Sequence, residues 1–259
     1  IKTIGPLLDS LITGEQGEIA IIAFDHRIRV MQDFTSDGSL VRQALDKINP
    51  GSTTSALVDT MFTAGRMLRN RPRERRKVIL LISETQDRGS EGRLREALLE
   101  VANAQVHTVN INRAVTTLTA KPLPPRPDHV PPAARAPLPG GAPQTPSTVA
   151  QAGGLGGNSA NFVPVFVEIF KAVKYIFVPN PAEVLTTYTG GREHSFLTRD
   201  SLQRAVSDIG EDLHSQYVLR YSPNNKLEGG WHEVRVTVPT RPGAKTRHRP
   251  GYWMAGIPE

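Results

Sequence analysis

Asp25, His26 and Arg27 close the apolar run IAIIAF. A carboxylate beside an imidazole is an acid–base pair in principle. At the end of a buried strand the same three residues read as a turn, and the turn is the expectation carried forward. Glu211, Asp212 and His214 crowd one short stretch. At a helix end such charges are solvent-facing or capping groups. His194 and His214 lie on separate elements without His-x-x-x-His spacing, so they read as surface or packing residues. Gly153, Gly154, Gly156 and Gly157 are closely spaced, but no strand precedes them, and a dinucleotide site needs its glycines between a strand and a helix. No Gly-x-x-x-x-Gly-Lys-Ser/Thr phosphate loop and no Gly-x-Ser-x-Gly motif occurs. No nucleophile, base and oxyanion donors converge in the sequence, which argues against an enzyme.

The elements around these residues follow from hydrophobic period. Residues 1–13 carry Ile4, Leu7, Leu8, Leu11 and Ile12 at helical spacing. GEIAIIAFD reads as a strand buried on both faces, as inside a parallel sheet. Ile28 and Val30 alternate with polar residues as a short edge strand. Asp37 or Ser39 caps a helix through Lys47. Residues 53–70 form a second helix with Leu57, Met61, Ala64, Met67 and Leu68 inward, ended by Pro72. KVILLIS is the next buried strand. A helix over 91–103 turns Leu94, Leu98 and Val101 inward, and Val106 to Ile111 is a further strand.

Residues 114–160 interrupt this order with Pro122, Pro124, Pro125, Pro127, Pro131 and Pro132 and then the glycine run. That composition buries too little apolar surface to order itself, so it reads as a mobile insertion. Phe166, Ile169, Phe170, Val173 and Phe177 resume with one very apolar helix face, read as core. Pro181 begins the next helix and Gly190–Gly191 ends it. His194 to Leu197 is a short strand, and Leu202, Val206, Ile209 and Leu213 line a helix that starts near Asp200. YVLRY (217–221) reads as a strand, and WHEVRVTV (231–238) as a half-exposed antiparallel one. TRHRPGYWM returns as a last strand or extended segment.

Composition removes several classes. Hydrophobic residues are 38% of the 259, an ordinary share for a globular protein. The apolar runs are strand-sized, far short of the roughly 20 residues of a membrane span. With no cysteine there is no disulfide framework, Cys-ligated zinc or thiol nucleophile. The net charge is +6, and the densest basic run is Arg66, Arg69, Arg71, Arg73, Arg75, Arg76 and Lys77, with Glu74 among them and no aromatic residue within it to stack on a base. It reads as a solvated helix end and loop, and no nucleic-acid partner is expected.

Several pieces in order resemble the von Willebrand factor A (VWA) domain, and more narrowly the VWFA-related domain of acidobacterial proteins. They are GEIAIIAFDHRIRVMQDFTSD, GSTTSALVDT, RRKVILLISETQD, TGGREHSF, IGEDLHSQYVLRYSPN, WHEVRVTV and RPGYW. The resemblance implies an α/β fold: a Rossmann-like, doubly wound, mostly parallel sheet with a C-terminal antiparallel β extension. It also implies that the first strand, with its Asp-x-Ser-x-Ser loop, falls before Ile1 and is missing here. The expected divisions are 1–113 and 161–214 for the two parts of the core, 114–160 for the insertion and 215–259 for the β extension.

Many VWA domains hold Mg²⁺ or another divalent ion on oxygen ligands at the sheet's C-terminal edge. The resemblance places the family threonine at Ser55, with Thr54 beside it, and the strand-end aspartate at Glu84, with Asp87 as a substitute three residues on. Thr54, Ser55, Glu84 and Asp87 are therefore the candidate metal ligands, and Ser55, Glu84 and Asp87 the candidate partner-binding residues. Two or three oxygens are too few for a tight Mg²⁺ site unless the upstream motif joins them. The expectation is a non-enzymatic binding module for a protein partner, in adhesion or complex assembly, exported as the family implies. The alternative is an enzyme with an unrecognised hydrolytic or nucleotide-dependent site on the same edge.

Overall fold

The computed structural model describes residues 17–49, 51–52, 54–83, 87–111, 162–171, 178, 180–196, 198–223, 228–241 and 243–254. The expected N-terminal helix, the 114–160 insertion, Glu84, and the helical positions Val173 and Phe177 lie outside the described residues.

Strand β1 (Ile19–Phe24) and strand β2 (Ile28–Thr35) pair antiparallel across the Asp25–Arg27 turn. The Asp25 carboxylate accepts the Arg27 N–H at 2.8 Å and the Asp25 N–H donates to the Arg27 carbonyl, so Asp25 builds the expected turn. Helix α1 (Gly38–Asp46) starts at Asp37, whose side chain accepts the Ser39 N–H at 2.7 Å. Helix α2 (Leu57–Arg69) leads to strand β3 (Val78–Ser83). Helix α3 (Leu94–Glu100), extended by a 3₁₀ turn, leads to strand β4 (Gln105–Ile111). Helix α4 (Val163–Lys171), helix α5 (Pro181–Thr189), strand β5 (Glu193–Phe196) and helix α6 (Arg199–His214) follow. Strands β6 (Gly230–Glu233) and β7 (Gly251–Met254) close the order.

β3, β4 and β5 form a parallel sheet in that order. Its two faces carry separate cores. On one, Leu81 and Val106 meet α2, α3, α4 and α5 through Leu57, Met61, Leu98, Phe166 and Leu185. On the other, Val109 meets α1 and α6 through Val41, Leu45, Val206 and Ile209. Phe24 of β1 packs on the first core and Ile19 and Ile21 on the second, so β1 lies in the sheet layer. Helices on both faces of a parallel sheet are the doubly wound arrangement the sequence implied.

Three strand expectations needed correction, the last of them in the C-terminal hairpin. Although β1 and β3 are continuous apolar runs, only Ala23 and Leu81 in them are fully buried, whereas Val106 to Asn110 of β4 all are. Among the described residues β1 pairs only with β2 and β3 only with β4, so each keeps an open edge while β4 is enclosed. The second correction is Tyr217–Tyr221. These residues form no strand; they lie on the surface after α6, with Tyr217 94% and Val218 81% exposed. Its aromatic and branched residues suit a strand, but no described segment pairs with this one.

The C-terminal hairpin is antiparallel, with Trp231 opposite Trp253. It covers the apolar face of α4. Trp231 stacks on Phe166 at 5.3 Å and Trp253 on Phe170 at 5.2 Å, with Tyr188 of α5 5.3 Å from Phe166. Arg249 lies 4.6 Å over the Tyr188 ring and donates to the Ala102 carbonyl at 2.8 Å. The strand expected over 231–238 stops at Glu233, although the Val234 N–H still reaches the Pro250 carbonyl at 2.9 Å.

Candidate functional site at the end of the sheet

The N-cap of α2 is Ala56, which has no side-chain oxygen to accept from the first helical N–H groups. The acceptors come from the loop after β3. Asp87 Oδ2 accepts the Val58 N–H at 2.9 Å, and Ser90 Oγ accepts the Asp59 N–H at 3.0 Å. Asp87 Oδ1 accepts the N–H groups of Gly89 and Ser90 at 3.2 and 3.0 Å. Asp59 returns the arrangement, taking the Glu91 N–H on Oδ2 at 2.9 Å and the Gly92 N–H on Oδ1 at 2.8 Å. Loop and helix start thus cap each other.

The 51–56 segment joins this box to the end of β1. The Ala56 N–H donates to the Asp25 carbonyl at 2.7 Å, and the Ser55 carbonyl accepts from Arg88 and Gly89, both at 3.0 Å. The ends of β1 and β3 therefore share one edge. His26, Arg27, Ser52, Arg88 and Glu91 are exposed along it. The Arg27 N–H holds the Asp25 carboxyl below its usual range, with smaller help from Ser52, His26 and Arg29 against a desolvation penalty.

Asp25, His26 and Ser52 are the residue types of a proton relay. His26 Nδ1 lies 2.9 Å from Ser52 Oγ and 3.4 Å from Asp25 Oδ1. A relay needs the serine and the carboxylate on opposite ring nitrogens. Here both meet Nδ1, so the geometry supplies a loop clasp and no activated serine.

The structure brings three of the four residues named from the sequence to this edge. Thr54 and Ser55 are half-buried, Thr54 with its methyl group against Gly89 and Ser55 engaged through its carbonyl. Asp87 is half-buried with both oxygens facing N–H donors. Glu84 lies outside the described residues. Among the described residues no group of three or more His, Asp or Glu side chains converges to hold a metal. The described donors fit a helix cap better than a cation, and no chemistry is derived through a metal at this edge.

Sequence reasoning passed over His107. It is fully buried on β4, and among the described residues neither ring nitrogen has a hydrogen-bond partner. Burial, reinforced by Arg247, pulls its pKa to about 4. Nearby, Asp212 is clasped by Arg247 at 2.8 Å and Arg192 at 3.5 Å, so the carboxylate read as solvent-facing or capping is an ion-pair centre. The available signal was one imidazole inside the run VHTVNI.

Residues 4–88 match the family model described as von Willebrand factor type A domain. No curated protein matches the chain significantly. Among solved structures, the conserved hypothetical protein BatB from Bacteroides thetaiotaomicron is 14% identical, with a TM-score of 0.49 over 83% of this chain and 86% of that one. An aerotolerance-related membrane protein from Bacteroides fragilis is 15% identical, with a TM-score of 0.44 over 82% and 88%. Among the described residues no helix is long and apolar enough to cross a membrane. Over residues 4–88 the chain is similar to a von Willebrand factor type A domain, and its parallel sheet flanked by helices on both faces is the same class of α/β fold.

Proposed function

We propose that this domain is a non-enzymatic protein-binding module, serving adhesion or complex assembly in an exported protein. It takes its partner on the edge formed by residues 25–27, 51–56 and 87–92. The observation that carries this reading is the reciprocal cap between Asp87, Ser90 and Asp59. It holds an otherwise irregular loop in one conformation before any partner arrives, which lowers the ordering entropy of binding. The exposed imidazole of His26, the hydroxyl of Ser52 and the charges of Arg88 and Glu91 supply the polar contacts. Export rests on the family resemblance.

The test is a comparison of captured proteins. The immobilised chain, His26→Ala/Ser52→Arg, and Arg42→Glu on the outer face of α1 are each exposed to extracellular and envelope fractions, with and without EDTA. A partner retained by the chain and by Arg42→Glu, and lost with His26→Ala/Ser52→Arg, is the expected result. EDTA should leave its capture unchanged. Identical capture by all three proteins sinks the reading.

A further inference from the structure

Tyr217–Tyr221 (YVLRY) leaves α6 beside the start of β3, at the end of the sheet opposite the 87–92 loop. Both of its ends are held. Arg76, just before β3, donates to the Leu213 carbonyl and to Gln216 Oε1. At the far end the Tyr221 ring lies 6.4 Å from the ring of Tyr252 in β7. Between these anchors the side chains stand in solvent: Leu219 is 68% and Tyr221 60% exposed, and Tyr217 and Val218 are more so. Among the described residues none of the five makes a main-chain hydrogen bond.

A tethered apolar segment with such main-chain groups is a template for another strand. Exposed edges are ordinarily blunted by proline, a bulge or several charges, and this one carries Arg220 alone. The order of its residues indicates which strand fits. Tyr-Val-Leu-Arg-Tyr places a tyrosine two residues to either side of Leu219. In an extended chain Tyr217, Leu219 and Tyr221 share one face, and Val218 and Arg220 the other. An antiparallel second copy centred on Leu219 sets leucine against leucine and Tyr217 against the partner's Tyr221, on both sides of the axis. On the opposite face Val218 meets the partner's Arg220. Every apolar residue of the first face is matched, and the contact has the two-fold symmetry of most protein dimers. We propose that Tyr217–Tyr221 is a homotypic docking strand, which pairs antiparallel about Leu219 with the same segment of a second copy of this chain. Five residues bury far less than the roughly 1,200 Å² of a stable interface, so the dimer is weak and forms where copies are crowded. The segment stands apart from the β1–β3 edge, and its pairing does not depend on the reading of that edge.

The test is sedimentation of the chain from about 10 µM to about 1 mM, the range of weak association. The expected result is a reversible monomer–dimer equilibrium. Leu219→Lys sets two ammonium groups face to face across the axis and weakens dimerisation by about tenfold or more. Val218→Glu sets a carboxylate opposite the partner's Arg220 on both sides, and strengthens the dimer several-fold in a manner that added NaCl removes. Both positions are exposed, so each variant melts as the unaltered chain does at the lowest concentration. The proposal is overturned if the chain stays monomeric throughout the series, or if Leu219→Lys dimerises as readily as the unaltered chain. It is also overturned if Val218→Glu weakens the dimer, as a parallel pairing that sets residue 218 against itself would require.

Discussion

A carboxylate that accepts three N–H groups has little left for a ligand, and Asp87 is such a residue. Asp87→Ala removes the cap from α2 and should lower unfolding stability by about 1–2 kcal/mol in urea titrations; a change of a few tenths would contradict the capping role. His107 sets an acid-side limit. Burial lowers its pKa from the ordinary 6.5 to about 4, so the folded state binds its proton less readily than the unfolded state. The stability of the neutral form is complete above the unfolded value and declines as pH falls from 6.5 towards 4. The loss reaches roughly 3 kcal/mol at most. Asp25 and Asp37, whose carboxyls are depressed, weaken the fold only at still lower pH. Glu183, whose carboxyl burial raises to about 7, acts in the opposite direction over the same range, so the contribution of His107 is read from its variant: on going from pH 7.5 to 4.5 the urea midpoint of His107→Leu should fall by less, or rise by more, than that of the unaltered chain. Residue-level roles were legible where the partner is local: Asp37 caps two residues on, Pro181 opens α5, and Gly190 ends it at φ 73°. Asp87 was not legible as a cap, because its N–H partner on Val58 is 29 residues away.

At the scale of elements, apolar period foretold α1, α2 and α6, and the very apolar face of α4 proved to be core. What covers that face could not be read, since the covering residues Trp231 and Trp253 come from a hairpin more than 60 residues later. Phe170 sits between Tyr188, Trp231 and Trp253. Phe170→Ala should therefore destabilise by about 3–5 kcal/mol and release the hairpin, seen as a red shift of tryptophan fluorescence. An unchanged spectrum would place the hairpin elsewhere. Tyr217–Tyr221 shows the limit of strand-forming composition as a signal. Aromatic and branched residues state what a segment suits, but a strand exists only when another backbone takes its hydrogen bonds. The same reasoning explains why β1 and β3, written as fully buried strands, remain half-buried beside open edges.

For the whole molecule, the sequence conveyed the parallel layer, the two helical faces and the antiparallel extension, because each depends on hydrophobic period and on element order. The candidate site was legible only as an address. Thr54, Ser55 and Asp87 do gather at one edge, but the tasks of their atoms depend on loop backbone that no residue pattern specifies. That edge is mechanically continuous with the interior through α2. The helix is held at its start by Asp87 and Ser90, and near its end by Arg69, which pairs with Glu100 of α3 at 2.7 Å. By thermodynamic reciprocity, anything that tightens the 87–92 loop also tightens the first turn of α2, and fraying of that turn loosens the loop. The amide protons of Val58 and Asp59 therefore keep time for the surface: their exchange with solvent slows whenever the loop outside is held.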